Sequence, residues 1–218
     1  MSSNYKLLKE SKNELIDELL SYFQHIINVS KETYFYTEKH NKVEDDFLDK
    51  INLLEEKSDI LYDNVLNSSV WIIQSNQPRA SNLRFIISCI NSAKELERAS
   101  DYLLLITKFL NKRTLDEKLH NYFMQAFKRC IDILEISYDE FLNNDPFQAR
   151  QTIKLELENY KSFLSTNTKI MIKHFDELNP NSDILDALIE LINAINDLER
   201  IVTHVYNLIK SFNYIDLQ

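Results

Sequence analysis

Glycine is absent from this 218-residue chain, and proline occurs only three times. A β-rich fold needs glycine wherever a hairpin turn takes a positive φ. A glycine-free chain also cannot build the loops that cradle phosphate in P-loop and dinucleotide-binding folds. Cysteine is scarce as well. Cys89 and Cys130 lie far apart, in no metal-type spacing, and each falls among apolar neighbours at helical intervals. They read as core thiols, which suit a reducing compartment. Long apolar runs are missing too: no stretch approaches the ~20 residues of a membrane span. The start, Met1-Ser2-Ser3-Asn4-Tyr5-Lys6, lacks the apolar core of a signal peptide. A cytoplasmic location is the expectation.

Positive charge is in deficit. The formal net charge is −9, and no basic patch is dense enough to release counterions from a nucleic acid. Nucleic acid is therefore excluded as a partner. What remains is a chain 44% hydrophobic and 27% charged, which can bury a sizeable core behind a solvated surface. Long helices joined by short Asn, Asp and Pro turns fit this composition.

The breaks define six helices. The first covers about residues 4–39, striped by Leu8, Leu15, Leu19, Phe23, Ile26 and Val29. A second carries Phe47, Ile51, Leu54, Leu61, Val65 and Ile72, and ends at Asn76-Gln77-Pro78. Pro78 suits a first helical position, where its missing N–H costs nothing. The third runs to about Leu110 through Phe85, Cys89, Ala93, Leu96 and Leu103. Thr114 with Glu117 reads as a capping box for the fourth. Asp145-Pro146 and Asn179-Pro180 each supply an N-cap and a first-turn proline, opening the fifth and sixth. Tyr34-Phe35-Tyr36 and Trp71 are expected to pack against the core.

An internal repeat arranges these helices. Slide the chain until Pro78 lands on Pro180. In that ungapped register Leu83 meets Leu185, Ile87 meets Ile189, and Asn91 meets Asn193. Leu96-Glu97-Arg98 meets Leu198-Glu199-Arg200, and Ile51, Leu53 and Glu56 meet Ile153, Leu155 and Glu158. The expectation is an all-α protein of two tandem three-helix bundles, residues 1–111 and 112–218, with neighbouring helices antiparallel.

Chemistry concentrates on the repeated glutamates. Glu97 and Asp101 are four apart, so both leave one side of a helix and can approach one cation. Glu55, Glu56, Asp59 and Asp63 form an acidic run on the preceding helix. If the two helices pack side by side, these sets meet in a surface cluster. The competing reading is a solvated face with weak ion pairs to Lys94 and Arg98. In the second half Glu199 remains, but Thr203 stands where Asp101 would repeat, so a second site is weaker or recruits Glu158 and His204. Catalytic patterns are poor. Glu117 and His120 match one Glu-x-x-His pair of a di-iron bundle, but the second pair is missing.

The segment Gln77-Pro78-Arg79-Ala80-Ser81-Asn82-Leu83-Arg84 resembles the Gln-Pro-x-Ala-x-Asp-Leu-Arg signature of the PhoU family. Glu95-Leu96-Glu97-Arg98-Ala99-Ser100-Asp101 resembles that family's Leu-Glu-Arg-Ile-Gly-Asp element, and Asp197-Leu198-Glu199-Arg200-Ile201-Val202-Thr203-His204 resembles its second copy. The resemblance implies a cytoplasmic, dimeric, non-enzymatic protein of two three-helix bundles. It implies iron or zinc clusters on the bundle surface, held by Glu/Asp-x-x-x-Asp motifs; Glu97, Asp101, Glu56, Asp59, Asp63, Glu199 and Glu158 are the candidates here. It implies negative regulation of phosphate uptake through the ATPase of the phosphate ABC transporter and a membrane sensor kinase. Arg84, Arg98 and Arg200 are candidates for packing or partner contact. The chain departs from the family pattern at Asn82, at Ser100 and Val202 in place of the motif glycines, and at Thr203. The alternatives are a helical adaptor of the same fold with another partner, and a metal-binding carboxylate bundle.

Overall fold

Apolar residues recur at three- and four-residue intervals along nearly the whole chain, and each such run becomes one helix. The computed structural model describes residues 2–40, 42–143, 145–177 and 182–212. They form α1 (Ser2–His40), α2 (Asp45–Asn76), α3 (Ser81–Lys112), α4 (Glu117–Asn143), α5 (Pro146–Glu177) and α6 (Ser182–Ser211). No strand occurs among the described residues.

The first three helices pack on one another, and so do the last three. This is the tandem pair of three-helix bundles that the repeat predicts. The halves join through α3 against α6, the most extensive contact in the molecule, and through α1 against α4. The Ser88 hydroxyl donates to the Ser211 carbonyl at 2.6 Å, and the Ser92 hydroxyl faces the Leu208 carbonyl at 3.4 Å. The Tyr102 ring stacks on His204 further along. One helix is climbed as the other is descended, so α3 and α6 are antiparallel. Tyr102 and His204 are also repeat counterparts, so the seam is nearly symmetric about the point where they meet. Ser100 and Val202, at the motif-glycine positions, are both buried near that point.

One apolar core runs through both halves, from Leu15, Phe23 and Ile26 through Leu96 and Phe123 to Leu198 and Val205. Burying such stripes contributes about 25 cal/mol per Å² of apolar surface. Buried hydroxyls in α1 are satisfied within the helix: Ser30, Thr33 and Thr37 donate to carbonyls four residues back. Cys89 and Cys130 are fully buried core thiols, as expected, and burial pushes the Cys89 thiol up to about 12.

Four local expectations are corrected. Pro78 does not open α3; it is buried in the preceding turn. Gln77 takes a left-handed φ of 45° and caps α2 by donating to the Ile73 carbonyl, and Ala80 with φ 50° redirects the chain into α3. Asp116, not Thr114, caps α4: its Oδ1 accepts from the Lys118 and Leu119 amides at 2.9 and 3.0 Å. Trp71 is 58% exposed because its neighbour Ile72 takes the inward position on α2. Phe35 is exposed too. Its neighbours make the contacts, with Tyr36 stacked on Phe47 and Tyr34 edge-on to Phe127. Asp145 caps α5 as expected, accepting from the Phe147 and Gln148 amides. Asn179 and Pro180 lie outside the described residues.

Candidate functional site

α2 and α3 lie side by side in the first half, and their carboxylates converge. On α2, Glu55 and Asp59 are one turn apart and turn toward α3. Glu56 and Asp63 sit roughly a quarter-turn round the helix and are exposed. On α3, Glu97 and Asp101 answer them. Burial raises the Glu97 carboxyl, Asp101 and Asp59 raise it further, and Arg98 and Lys94 pull it back. Asp101 is raised by burial and by Asp59, against Arg98 and His204. Glu55 is raised by burial, Asp59 and Asp101. Four carboxylates thus repel one another across the α2–α3 groove. Among the described residues none of the four makes an ion pair.

This is the surface cluster that side-by-side packing would produce. Glu56 and Asp63 stay at its margin. Among the described residues no three His, Cys, Asp or Glu side chains come together as a set that could hold a metal ion.

The second half has replaced this arrangement. Glu199 faces the Lys161 ammonium at 3.4 Å. Lys161 occupies the repeat position of Asp59, Thr203 that of Asp101, and the buried Leu157 that of Glu55. A repelling cluster has become an ion pair over an apolar contact. Glu158 turns outward and faces Lys154 on its own helix at 3.8 Å. The same slide of the sequence that reveals the repeat also pairs Asp59 with Lys161.

A third feature lies on the α3–α6 seam. The Glu95 carboxylate meets His204 Nδ1 at 2.7 Å and accepts from the Asn207 amide at 3.3 Å. Burial alone would raise Glu95, but these two hydrogen bonds and the neighbouring His204 and Arg98 hold it below the usual carboxylate range. The repeat counterpart of Glu95 behaves differently. Asp197 Oδ1 accepts from its own neighbour Arg200 at 2.9 Å, and that guanidinium lies 5.3 Å from the centre of the Tyr102 ring. Arg84 and Arg98 are exposed beside the seam. Sequence reasoning overlooked Glu95, since nothing in the spacing of one helix ties it to a histidine more than a hundred residues on.

The PhoU domain model matches residues 37–109 and matches again at 116–212. The chain belongs to the PhoU family. The first match ends within α3 and the second just past α6, the two helices that carry a Leu-Glu-Arg motif. The chain is 28% identical over 220 residues to "Uncharacterized protein MG409" of Mycoplasma genitalium, covering 97% of this chain and 95% of that one. Its homolog in Mycoplasma pneumoniae is 25% identical, over 98% and 96% of the two chains. The fold is similar to the crystal structure of the phosphate transport system regulatory protein PhoU from Streptococcus pneumoniae, with TM-score 0.78, 18% identity, and 96% and 97% coverage. It is also similar to PhoU from Pseudomonas aeruginosa, with TM-score 0.72, 15% identity, and 98% and 97% coverage.

Proposed function

We propose that this PhoU-family chain is a non-enzymatic regulator of phosphate uptake and homeostasis. It acts by binding the ATPase of a phosphate ABC transporter as a negative regulator, with a membrane sensor kinase as a second partner and a homodimer as its own assembly. The observation that carries this reading is the family match in both halves. Two further observations support it. No helix among the described residues is long and apolar enough to cross a membrane. Leu53, Ile60 and Trp71 are exposed at intervals along one face of α2, where a partner can meet them. Regulation by binding requires a preference for one transporter state, since equal affinity for both states shifts nothing.

Among the described side chains no set of three candidate ligands is assembled of the kind a zinc site needs. The donor chemistry of Glu55, Asp59, Glu97 and Asp101 suits a hydrated hard cation held through one or two carboxylates. No step of the proposed regulation depends on it.

Deleting the gene and following phosphate uptake in phosphate-replete cells tests the reading. Uptake rises if the protein restrains the transporter, and the tagged protein retains the ATPase in a pull-down. Unchanged uptake together with unchanged phosphate-responsive expression overturns it. The loss of the second carboxylate cluster at Lys161 and Thr203 favours one alternative, an adaptor of the same fold with a changed partner. Capture of a different defined partner, without the ATPase, selects that alternative.

A further inference from the structure

The basic side chains of this acidic protein are not spread evenly. Along the α3–α6 seam, beside Glu95, lies an open groove of about 760 Å³. Arg84, Lys94, Arg98 and Lys210 line it, with the Asn91 and Asn207 amides between them. All four cations are exposed, and none makes an ion pair among the described residues. Glu95 is the carboxylate in the lining, and it is already committed to His204 and Asn207.

The duplication supplies an internal comparison. The repeat-related surface has Asp186 in place of Arg84, Asn196 in place of Lys94 and Glu190 in place of Ser88. Its arginine, Arg200, is neutralised by Asp197. Its Glu190 draws in Lys112 and Arg113. In the first groove Glu95 hydrogen-bonds His204 and Asn207 instead, and Arg98 acts on it without a direct ion pair. His204 has no acidic or basic counterpart on the other surface, where Tyr102 holds that position. One of two related surfaces has thus gathered cations that hold no direct ion pair, and a histidine across the seam takes the carboxylate that the repeat would set against one of them.

We propose that this groove binds a polyvalent phosphate-bearing anion. Two guanidinium forks and two ammonium groups match phosphate oxygens, and the amides add neutral donors. The volume lies in the range of small-molecule sites, roughly 300–1,000 Å³. The groove's cations are spread further than one orthophosphate reaches, with Arg84 and Arg98 about 21 Å apart along α3, so the ligand carries a short phosphate chain or a phosphorylated nucleoside, for which exposed Ile87 offers an apolar wall. This site is independent of the transporter partnership proposed above.

Isothermal titration of the full chain with orthophosphate, tripolyphosphate and ATP tests the proposal. Tripolyphosphate or ATP binds saturably, and orthophosphate binds more weakly. Equal affinity for the first two assigns recognition to the phosphate chain, and tighter ATP adds the nucleoside. Lys94→Glu with Arg98→Glu, both exposed, weakens binding at least ~10-fold. Lys108→Glu with Lys112→Glu makes the same change in net charge further along α3, outside the groove lining, and leaves affinity within about twofold. His204→Phe, which keeps a ring on Tyr102, weakens binding by releasing Glu95 onto Arg98. The proposal is overturned if none of the three anions saturates by ~10 mM, or if both charge-reversal pairs lower affinity equally.

Discussion

Leu96→Ala and Leu198→Ala, at matching positions of the repeat, test whether the two bundles unfold as one body. Both leucines are fully buried in the continuous core. Truncating such a leucine costs about 3.5 kcal/mol, through lost transfer energy and the cavity left behind. Unfolding entropy near the melting point is about 2.1 cal/mol/K per residue, or about 0.46 kcal/mol/K for the 218-residue chain. Each variant then lowers the midpoint of one shared transition by about 8 °C. If each half instead melted alone, half the entropy would double the shift, to about 15 °C in one transition, and leave the other in place. The structure favours the shared transition, because α3 and α6 bury Ala99, Ser100, Ile201, Val202 and Val205 between or beside them. Parting the halves would expose that seam to water. Differential scanning calorimetry reads the outcome directly. Two resolved peaks, with only one moving in each variant, would falsify the reasoning.

Glu97→Gln raises stability at pH 7 by roughly 0.2–0.5 kcal/mol for each like-charge contact relieved. The sign follows from the raised carboxyl: the folded state holds its proton more tightly, so wild-type stability falls as pH rises from the unfolded carboxylate range through the folded value. The gain fades as pH falls through the folded and then the unfolded carboxyl value and is gone near pH 3, where the wild-type carboxyl is protonated in both states; a lower melting point at pH 7 would refute mutual repulsion in the cluster. Ala80→Gly relieves a positive φ that glycine adopts freely, and raises the urea midpoint by an amount equivalent to about 1 kcal/mol; an unchanged or lower midpoint counts against strain there. Arg113 and Lys112 hold Glu190 down to about 2. Its contribution is present above the unfolded carboxylate range and fades as pH falls from about 4.5 toward 2. Glu190 is partly exposed, so Glu190→Gln costs at most about 1 kcal/mol at pH 7; equal losses at pH 7 and pH 2 would show that the ion pairs are not the cause.

The helices were legible because their signals are local. The absence of glycine, the three- and four-residue spacing of leucines and isoleucines, and Asp145 before Pro146 act within a turn or two of where they stand. The tandem arrangement was legible because Leu96-Glu97-Arg98 recurs in register with Pro78 and Pro180. Half of the candidate site followed from the same evidence. Glu97, Asp101 and the acidic run of the second helix meet because antiparallel neighbours bring one face of each helix together. Trp71 was misplaced because the stripe of α2 allows either of two adjacent residues to point inward, and Ile72 does.

By itself, then, the sequence determined six helices, their duplication and the Leu-Glu-Arg elements that mark the family. Tertiary structure decided which charges face each other. A helix face admits several rotations and partners at similar cost, and only close packing selects among them. That selection set Asp59 against Glu97 and Asp101 in the first half, and Lys161 against Glu199 in the second. It also carried Glu95 to His204 across the seam, leaving Arg98 open to solvent. The two halves share a fold because their apolar stripes repeat; they differ in chemistry because the side chains that meet across those stripes do not.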